Sequence, residues 1–365
     1  MRFSWGRFAR VATAILAVPV ILIIAMSAGC GGVSTSRIAS TSPPSIAKST
    51  SGTSATPTLA PSASPAPARW FPPTLIAPVF LDVTLGSVSC ASSSFCIVGV
   101  HDGTVEFNGH SWNVPASSAL AYRDNWEVSC PSSAFCGAVD AYGDAYIYTA
   151  GVWSTAQDIA GDSSGLEISC GLPSFCLAID EDRPEGAFYT YNGTSWSAPS
   201  TVPGFVSQFA GGDGNSSVAC ASSSLCVAMN GDGAFVYASG TWSAREPLEA
   251  GEVTYDVSCT QPSFCLAVSN TGSTDGYRGN GWVEMNGPPN LSQRPGATVL
   301  SCAGASFCTL IDNVNDAYVF DGTSWSAGQQ IEPGTTNSIL SLSCPTESFC
   351  MAVDSSGNAV RYSGM

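Results

Sequence analysis

Fourteen of the fifteen cysteines in this chain form seven pairs with five residues inside each: Cys90/Cys96, Cys130/Cys136, Cys170/Cys176, Cys220/Cys226, Cys259/Cys265, Cys302/Cys308 and Cys344/Cys350. The pairs recur every 39 to 50 residues, so the body of this 365-residue chain is one unit repeated seven times rather than two or three unrelated domains. Aligned on their cysteines, the units read SCASSSFCIVGV, SCPSSAFCGAVD, SCGLPSFCLAID, ACASSSLCVAMN, SCTQPSFCLAVS, SCAGASFCTLID and SCPTESFCMAVD. A short extended stretch approaches the first cysteine and a small polar turn follows. The next run, such as FCLAV, is short and apolar enough for a strand covered on both faces.

After an Asx- and Gly-rich turn comes a second alternating segment, such as DAYIYTAG or GAFVYASG. An aromatic residue there is followed five positions later by tryptophan in six units: Phe107/Trp112, Tyr148/Trp153, Tyr191/Trp196, Tyr237/Trp242, Tyr277/Trp282 and Phe320/Trp325. Four strands per unit follow: the approach to the first cysteine (A), the run after the second (B), the aromatic segment (C) and the tryptophan segment (D). Four-stranded units of this length, with no helical periodicity, predict an all-β fold, a seven-bladed β-propeller over residues 69–365. The seventh unit reaches Tyr362 and the sequence stops at Met365, before its tryptophan strand. Upstream of the first unit, ARWFPPTL matches TWSAREPL, which predicts that an N-terminal strand around Trp70 completes the last blade and removes an open sheet edge.

Residues six apart across an A-to-B hairpin face one another at about the 5.5 Å Cα separation a disulfide uses, so the seven pairs are read as disulfides. They are expected to act as staples on the face opposite the variable loops. Zinc sites favour shorter spacings and histidine, and this chain has only His101 and His110. The residue before each second cysteine is Phe95, Phe135, Phe175, Leu225, Phe264, Phe307 or Phe349. That column points away from its cysteine and is expected to fill the wedge between blades.

Ahead of the repeat, Arg2, Arg7 and Arg10 precede the apolar run VATAILAVPVILIIA, so residues 1–29 read as a secretory signal peptide. Ser27-Ala28-Gly29-Cys30 resembles the lipobox of bacterial lipoproteins, which implies lipidation of Cys30 and anchoring to the outer face of the bacterial cell membrane. An uncleaved signal anchor over residues 11–29 is the rival. Either one puts the repeat where thiols oxidise. Residues 30–68 form a Ser/Thr/Pro-rich tether expected to be disordered, with 16 Ser or Thr and no acid between 33 and 68. Without the three leader arginines, 9 basic and 28 acidic residues leave a net charge of about −19. Such a surface repels nucleic acid and anionic lipid, so neither is an expected partner and membrane contact runs through the anchor alone.

Tyr191-Asn192-Gly193-Thr194-Ser195-Trp196 and Phe320-Asp321-Gly322-Thr323-Ser324-Trp325 resemble the tyrosine and tryptophan pattern of kelch repeats. The body as a whole resembles secreted bacterial propellers with cysteine-bearing blades.

No catalytic residue stands out. Both histidines belong to one unit without a nucleophile elbow, and the arginines Arg69, Arg123, Arg183, Arg245, Arg278, Arg294 and Arg361 are scattered, one per blade or fewer. Asp140, Asp180, Asn230, Asp312 and Asp354 share the place four residues after the second cysteine and are read as caps of the B-to-C turn. Glu127, Glu167 and Asp256 stand three residues before the first cysteine and mark a candidate channel-facing cation site; no cofactor is expected, and Ca2+ is the one candidate ion. The B-to-C turns and the D-to-A loops share one face and are the irregular part of the repeat. Tyr122, Arg123, Asp124, Trp126, Arg183, Phe205 and Phe209 are the candidate recognition residues there. The expected function is a monomeric, extracytoplasmic binding or scaffold module for a protein or cell-envelope glycan; the alternative is a carbohydrate-active propeller, lectin or glycoside hydrolase or lyase.

Overall fold

The computed structural model describes residues 68–364 apart from 77–84, 102, 114–125, 162, 164, 181, 184–185, 203, 206–216, 231–232, 249–254, 262, 294 and 297. These belong to one compact unit, Ala63–Met365. The signal peptide, Cys30, most of the tether and the candidate residues Tyr122, Arg123, Asp124 and Phe209 lie outside the described residues.

Seven antiparallel sheets form the blades, six with strands in the order A, B, C, D and the third with A, B, C. Blade 1 runs Leu85–Ser92, Phe95–Val100, Gly103–Phe107 and Trp112–Asn113, and the other blades repeat it. Strand A of each blade (Leu85–Ser92, Glu127–Ser132, Leu166–Leu172, Ser217–Ser222, Tyr255–Gln261, Val299–Gly304, Ile339–Thr346) packs against strand A of the next. The last packs against the first, so the strands close a ring and the fold is a seven-bladed β-propeller. Strand B is buried along its whole length in every blade, as an apolar run flanked by two strands and two neighbouring blades requires. Blade 3 departs from four strands: its outer strand is reduced to the bridges Tyr191↔Trp196 and Phe188↔Ser200.

The closing joint forms as expected. Arg69–Trp70 and Thr74–Leu75 pair antiparallel with Asn358–Ser363, placing Trp70 opposite Tyr362 with ring centroids 5.4 Å apart. The same aromatic and tryptophan positions in the six other blades are 5.1 to 5.5 Å apart, so the N-terminal strand reproduces a blade's own geometry. The phenylalanine column fills the inter-blade wedges. Its rings meet the strand C aromatic of the next blade: Phe95 to Tyr148 at 6.0 Å, Phe135 to Tyr191 at 6.1 Å, Phe307 to Tyr362 at 6.0 Å, and Phe349 back to Phe107 at 6.4 Å.

All seven cysteine pairs are disulfides within their own A-to-B hairpins: Cys90–Cys96, Cys130–Cys136, Cys170–Cys176, Cys220–Cys226, Cys259–Cys265, Cys302–Cys308 and Cys344–Cys350. Two features of them go beyond what the sequence showed. The first is spacing: their Cα atoms are 3.9 to 4.1 Å apart, closer than the 5.5 Å anticipated. The reason lies in the register. Cys170 sits directly opposite Cys176, and its amide donates not across the hairpin but to Ser129 Oγ of the preceding blade, 2.8 Å away. The cysteines thus occupy non-hydrogen-bonded pairs, where opposed strands approach most closely.

The second is burial. The bridges staple their hairpins as expected, and Cys96, Cys136, Cys176, Cys226, Cys265, Cys308 and Cys350 are also all 0% exposed, so each bridge is part of the core as well. Each stands one residue into strand B, where it packs in the seam with the preceding blade. Cys96 joins Phe349 and Met351, Cys136 joins Phe95 and Ile97, and Cys226 joins Phe175 and Leu177. Cys308 and Cys350 likewise join Phe264 and Phe307. A disulfide carries no charge and no strong hydrogen-bonding group, so it is buried there at little cost, and the bridges are part of the hydrophobic seam as well as clips on the hairpins.

The amides of six first cysteines form hydrogen bonds that link innermost strands to their neighbours. The serine before a first cysteine accepts the cysteine amide of the next blade: Ser89 from Cys130, Ser129 from Cys170, Ser169 from Cys220, Ser258 from Cys302, Ser301 from Cys344 and Ser343 from Cys90, all at 2.8 to 3.0 Å. An innermost strand has a neighbour on one side only, and these hydroxyls satisfy the edge that a propeller leaves open at its hub. One step lacks its acceptor, because Ala219 replaces the serine that would face the Cys259 amide.

Candidate binding face

Because strands alternate in direction, the A-to-B hairpins with their disulfides lie toward one face, and the B-to-C turns and D-to-A loops on the other. The buried polar residue four after the second cysteine builds this second face. Asp140 Oδ1 accepts the amides of Tyr142 and Asp144, and its Oδ2 accepts the Tyr146 hydroxyl. Asp312 repeats the pattern with Val314, Asp316 and Tyr318. Asp354 takes the amides of Ser356 and Asn358 through Oδ1, and the side chains of Asn337 and Asn358 through Oδ2. The turn role anticipated for this column is what these contacts perform. Blade 5 does the same with Ser269, whose hydroxyl accepts from Thr271 and Ser273.

The described recognition candidates divide. Trp126 is fully buried, its ring 4.8 Å from that of Tyr146 and its backbone carbonyl bonded to the Ser87 amide. Gly86 and Gly99 admit it, since a Cβ at either would stand within 2.4 Å of a Trp126 atom. Phe205 is buried as well, 5.1 Å from Phe188 and 5.3 Å from Phe235. Both are therefore corrected from exposed recognition residues to wedges between blades. Each is a large apolar side chain in a loop that burial pulls into the seam. Phe205 supplies mass to the seam where blade 3 lacks a full outer strand.

Arg183 does reach the surface of the loop face. Its Nε donates to Asp180 at 2.8 Å, and its guanidinium also donates to the Ala160 carbonyl at 2.9 Å, tying the turn of blade 3 to the loop entering that blade. Asp180 further accepts the Ser163 hydroxyl at 2.7 Å.

The three carboxylates expected at the channel, Glu127, Glu167 and Asp256, are not brought together: among the described residues no group of three or more His, Cys, Asp or Glu gathers as a metal set would. Asp256 works instead as a clamp between blades. It accepts the Leu300 amide of the next blade at 2.6 Å and the Ser217 hydroxyl at 3.1 Å, doing with a carboxylate what Ser87 does for Val128 and Ser341 for Val88. Burial pushes its pKa up to about 6, and burial lifts Glu127, which is hydrogen-bonded by Ser87, to about 7. On the loop face Glu332 is buried too, accepts the Asn315 side chain at 3.2 Å and lies beside Asp354; burial first, and then its charge contact and hydrogen bond with that acid, raise it to about 7.

The arginines are less scattered than their sequence positions suggest. The closing strand brings Arg69 to blade 7 beside Arg361, and both guanidinium carbons lie 4.5 Å from the centroid of Phe71.

Fold and site together define a disulfide-stapled seven-bladed β-propeller with one loop-bearing face. The sequence matches no protein-family model and no curated protein. Solved propellers are similar in fold. One is YCF48 bound to a D1 peptide (16% identity, TM-score 0.58, covering 82% of this chain and 96% of that one). Another is a catalytically inactive virginiamycin B lyase from Staphylococcus aureus with quinupristin (9% identity, TM-score 0.63, covering 82% and 100%). A third is the Cps50 (Swd1) β-propeller domain of Myceliophteria thermophila (10% identity, TM-score 0.59, covering 78% and 97%). At these identities the likeness is one of fold.

Proposed function

We propose that this protein is an extracytoplasmic binding module, lipid-anchored through Cys30 and held off the membrane by the tether, that recognises a protein or envelope polysaccharide with its loop-bearing face. The observation that carries this reading is the placement of exposed apolar side chains. Tyr142 and Val314 in B-to-C turns, Leu340 at the start of strand A of blade 7 and Leu75 at the far end of the closing strand are 42 to 49% exposed, and all belong to the loop face. Asn315 Oδ1 accepts the Ile339 amide, so the segments bearing Val314 and Leu340 abut across the last two blades. Among the described residues four of the seven exposed large apolar side chains lie on this face, against Val152, Leu172 and Val283 elsewhere, and such a group on an acidic protein favours a protein partner over a glycan. The similar propeller YCF48, solved bound to a D1 peptide, supports a binding role. Seven disulfides suit an oxidising compartment.

Two measurements test the proposal. Feeding cells an alkyne fatty acid should label the wild-type chain and leave Cys30→Ser unlabelled. Envelope capture by the full chain, run with and without calcium, should be lost with Tyr142→Asp or Val314→Asp. Equal labelling of both chains removes the anchor, and capture unchanged by both face variants removes the face.

A further inference from the structure

The seam between the last and first blades carries a cleft of about 380 Å3 on the outer flank, walled by Phe71, Pro72 and Pro73 of the closing segment, Trp112 and His110 of blade 1, and Arg361 of blade 7. It belongs to neither loop face, so nothing said of it depends on the recognition reading above. The volume falls at the lower end of the range for small-ligand sites.

The cleft lies at one of three blades that depart from a local rule kept by the other four. In four blades the residue after the strand D tryptophan is serine, and each serine clamps the residue before the strand C aromatic from both sides. The amides of Ser154, Ser197, Ser243 and Ser326 donate to the carbonyls of Ile147, Thr190, Val236 and Val319 at 2.8 Å. Their hydroxyls accept the amides of the same residues at 3.0 Å. Blade 7 keeps the first bond, Phe71 N to Arg361 O at 2.8 Å, and gives up the second, because phenylalanine replaces the serine. The clamped position holds Glu106, Ile147, Thr190, Val236, Gly276 and Val319 in the other blades and arginine only here. Blades 1 and 5 also lack the serine, with Asn113 and Val283 in its place, so what sets blade 7 apart is the arginine at the clamped position joined to a phenylalanine after the tryptophan.

What replaces the clamp has a definite chemistry. Two guanidinium groups share the Phe71 ring, and among the described residues neither makes an ion pair, in a protein with formal net charge −16. Stacking on an aromatic ring orients a guanidinium plane and leaves its N–H edge free, and that planar fork matches a carboxylate. The whole-molecule field works against polyanions, whereas a single negative charge carried on an apolar body gains from burial against Phe71, Trp112 and the two prolines. We infer that this cleft binds a carboxylate on an apolar body, the carboxylate at Arg361 and the body against Phe71 and Trp112. A free apolar carboxylic acid and the C-terminus of a peptide both present that chemistry.

The test is calorimetric titration of the full chain, disulfides intact, with N-acetyl-phenylalanine, its primary amide, glucuronic acid, and an N-capped peptide ending in phenylalanine with a free carboxylate. The acid should bind at least about tenfold more tightly than the amide, the discrimination expected of one charge-assisted pair. Glucuronic acid should be weaker by a similar factor for want of an apolar body. Phe71→Ser supplies the serine clamp of four other blades and should keep the melting temperature while abolishing binding; Arg361→Gln should abolish it too. A peptide that outbinds the free acid assigns a chain terminus as the source, and equal binding assigns a free acid. Acid and amide binding alike, glucuronic acid matching the aromatic acid, no binding of any probe, or binding that survives both substitutions would overturn the inference.

Discussion

Ser343 Oγ accepts the Cys90 amide at 2.9 Å across 253 residues of sequence, and with that bond the last blade is stitched to the first at the hub. The same serine-to-cysteine bond recurs at five other seams and is missing where Ala219 precedes Cys220. Ser343→Ala should therefore cost about 1 kcal/mol, the usual worth of one such bond. Ala219→Ser should raise stability by a similar amount by supplying the Cys259 amide with an acceptor. Denaturant melts of the two variants check both signs, and a destabilised Ala219→Ser would show that the seam is too tightly packed to use the hydroxyl.

Each disulfide closes a short hairpin and should contribute about 2 kcal/mol through loop entropy. Replacing Cys259 and Cys265 together by alanine should lower stability by at least that order, since Cys265 is also lost from the seam, without altering the other six bridges. Intact mass before reduction should lie about 14 Da below the reduced value, two hydrogens for each of seven bridges. A peptide map with any bridge joining two blades would contradict the hairpin assignment.

The joint around Trp70 should behave as part of blade 7. Trp70→Ala removes the ring packed on Tyr362 and is expected to cost about 2 to 3 kcal/mol, with faster amide exchange in Asn358–Ser363 at the other end of the chain. Exchange that quickens only near residue 70 would mean the two ends are not one folding unit.

Stability should fall with rising pH. Glu127 and Glu332 titrate near 7 and Asp256 near 6 when folded, against 4.5, 4.5 and 3.8 as ordinary values, so the folded protein holds protons that the unfolded chain has released. The stabilisation is complete below about pH 4 and is lost as the pH rises through 6 to 7. Glu332→Gln keeps the acceptor for Asn315 and mimics the protonated acid. It should leave the melting temperature unchanged at pH 5 and raise it at pH 8, and a wild-type melting temperature equal at both values would contradict the assignment.

Much of the fold was legible because the repeat is strict: cysteine spacing gave the A-to-B hairpins, the aromatic and tryptophan columns gave strands C and D, and the lone Trp70 gave the closure. The burial of Cys96 and its counterparts was less visible, because spacing marks a bridge without saying which neighbouring blade covers it. The hub serines were in plain view, as the residue before six of seven first cysteines, yet hydroxyl-to-amide bonding between repeats leaves no mark that separates it from solvated polarity. Trp126 misled because sequence places it beside charged loop residues; the clue to its burial was Gly99, a glycine inside an otherwise unbroken apolar strand. Asp256 looked like a cation ligand because a carboxylate and a serine hydroxyl perform the same inter-blade bond. The pairing of Arg69 with Arg361 depends on a contact between the two ends of the folded chain and could be read only once the closing strand was placed.

The central claim, recognition through the face opposite the A-to-B hairpins, is tested most directly by photo-crosslinking in the cell envelope with benzoylphenylalanine placed singly at Tyr142 or Val314 on the loop face and at Val152 or Leu172 on the hairpin face. All four side chains are exposed. Loop-face sites are predicted to give a discrete crosslinked species and hairpin-face sites none; crosslinks from Val152 or Leu172 alone, or from both faces equally, would contradict the account.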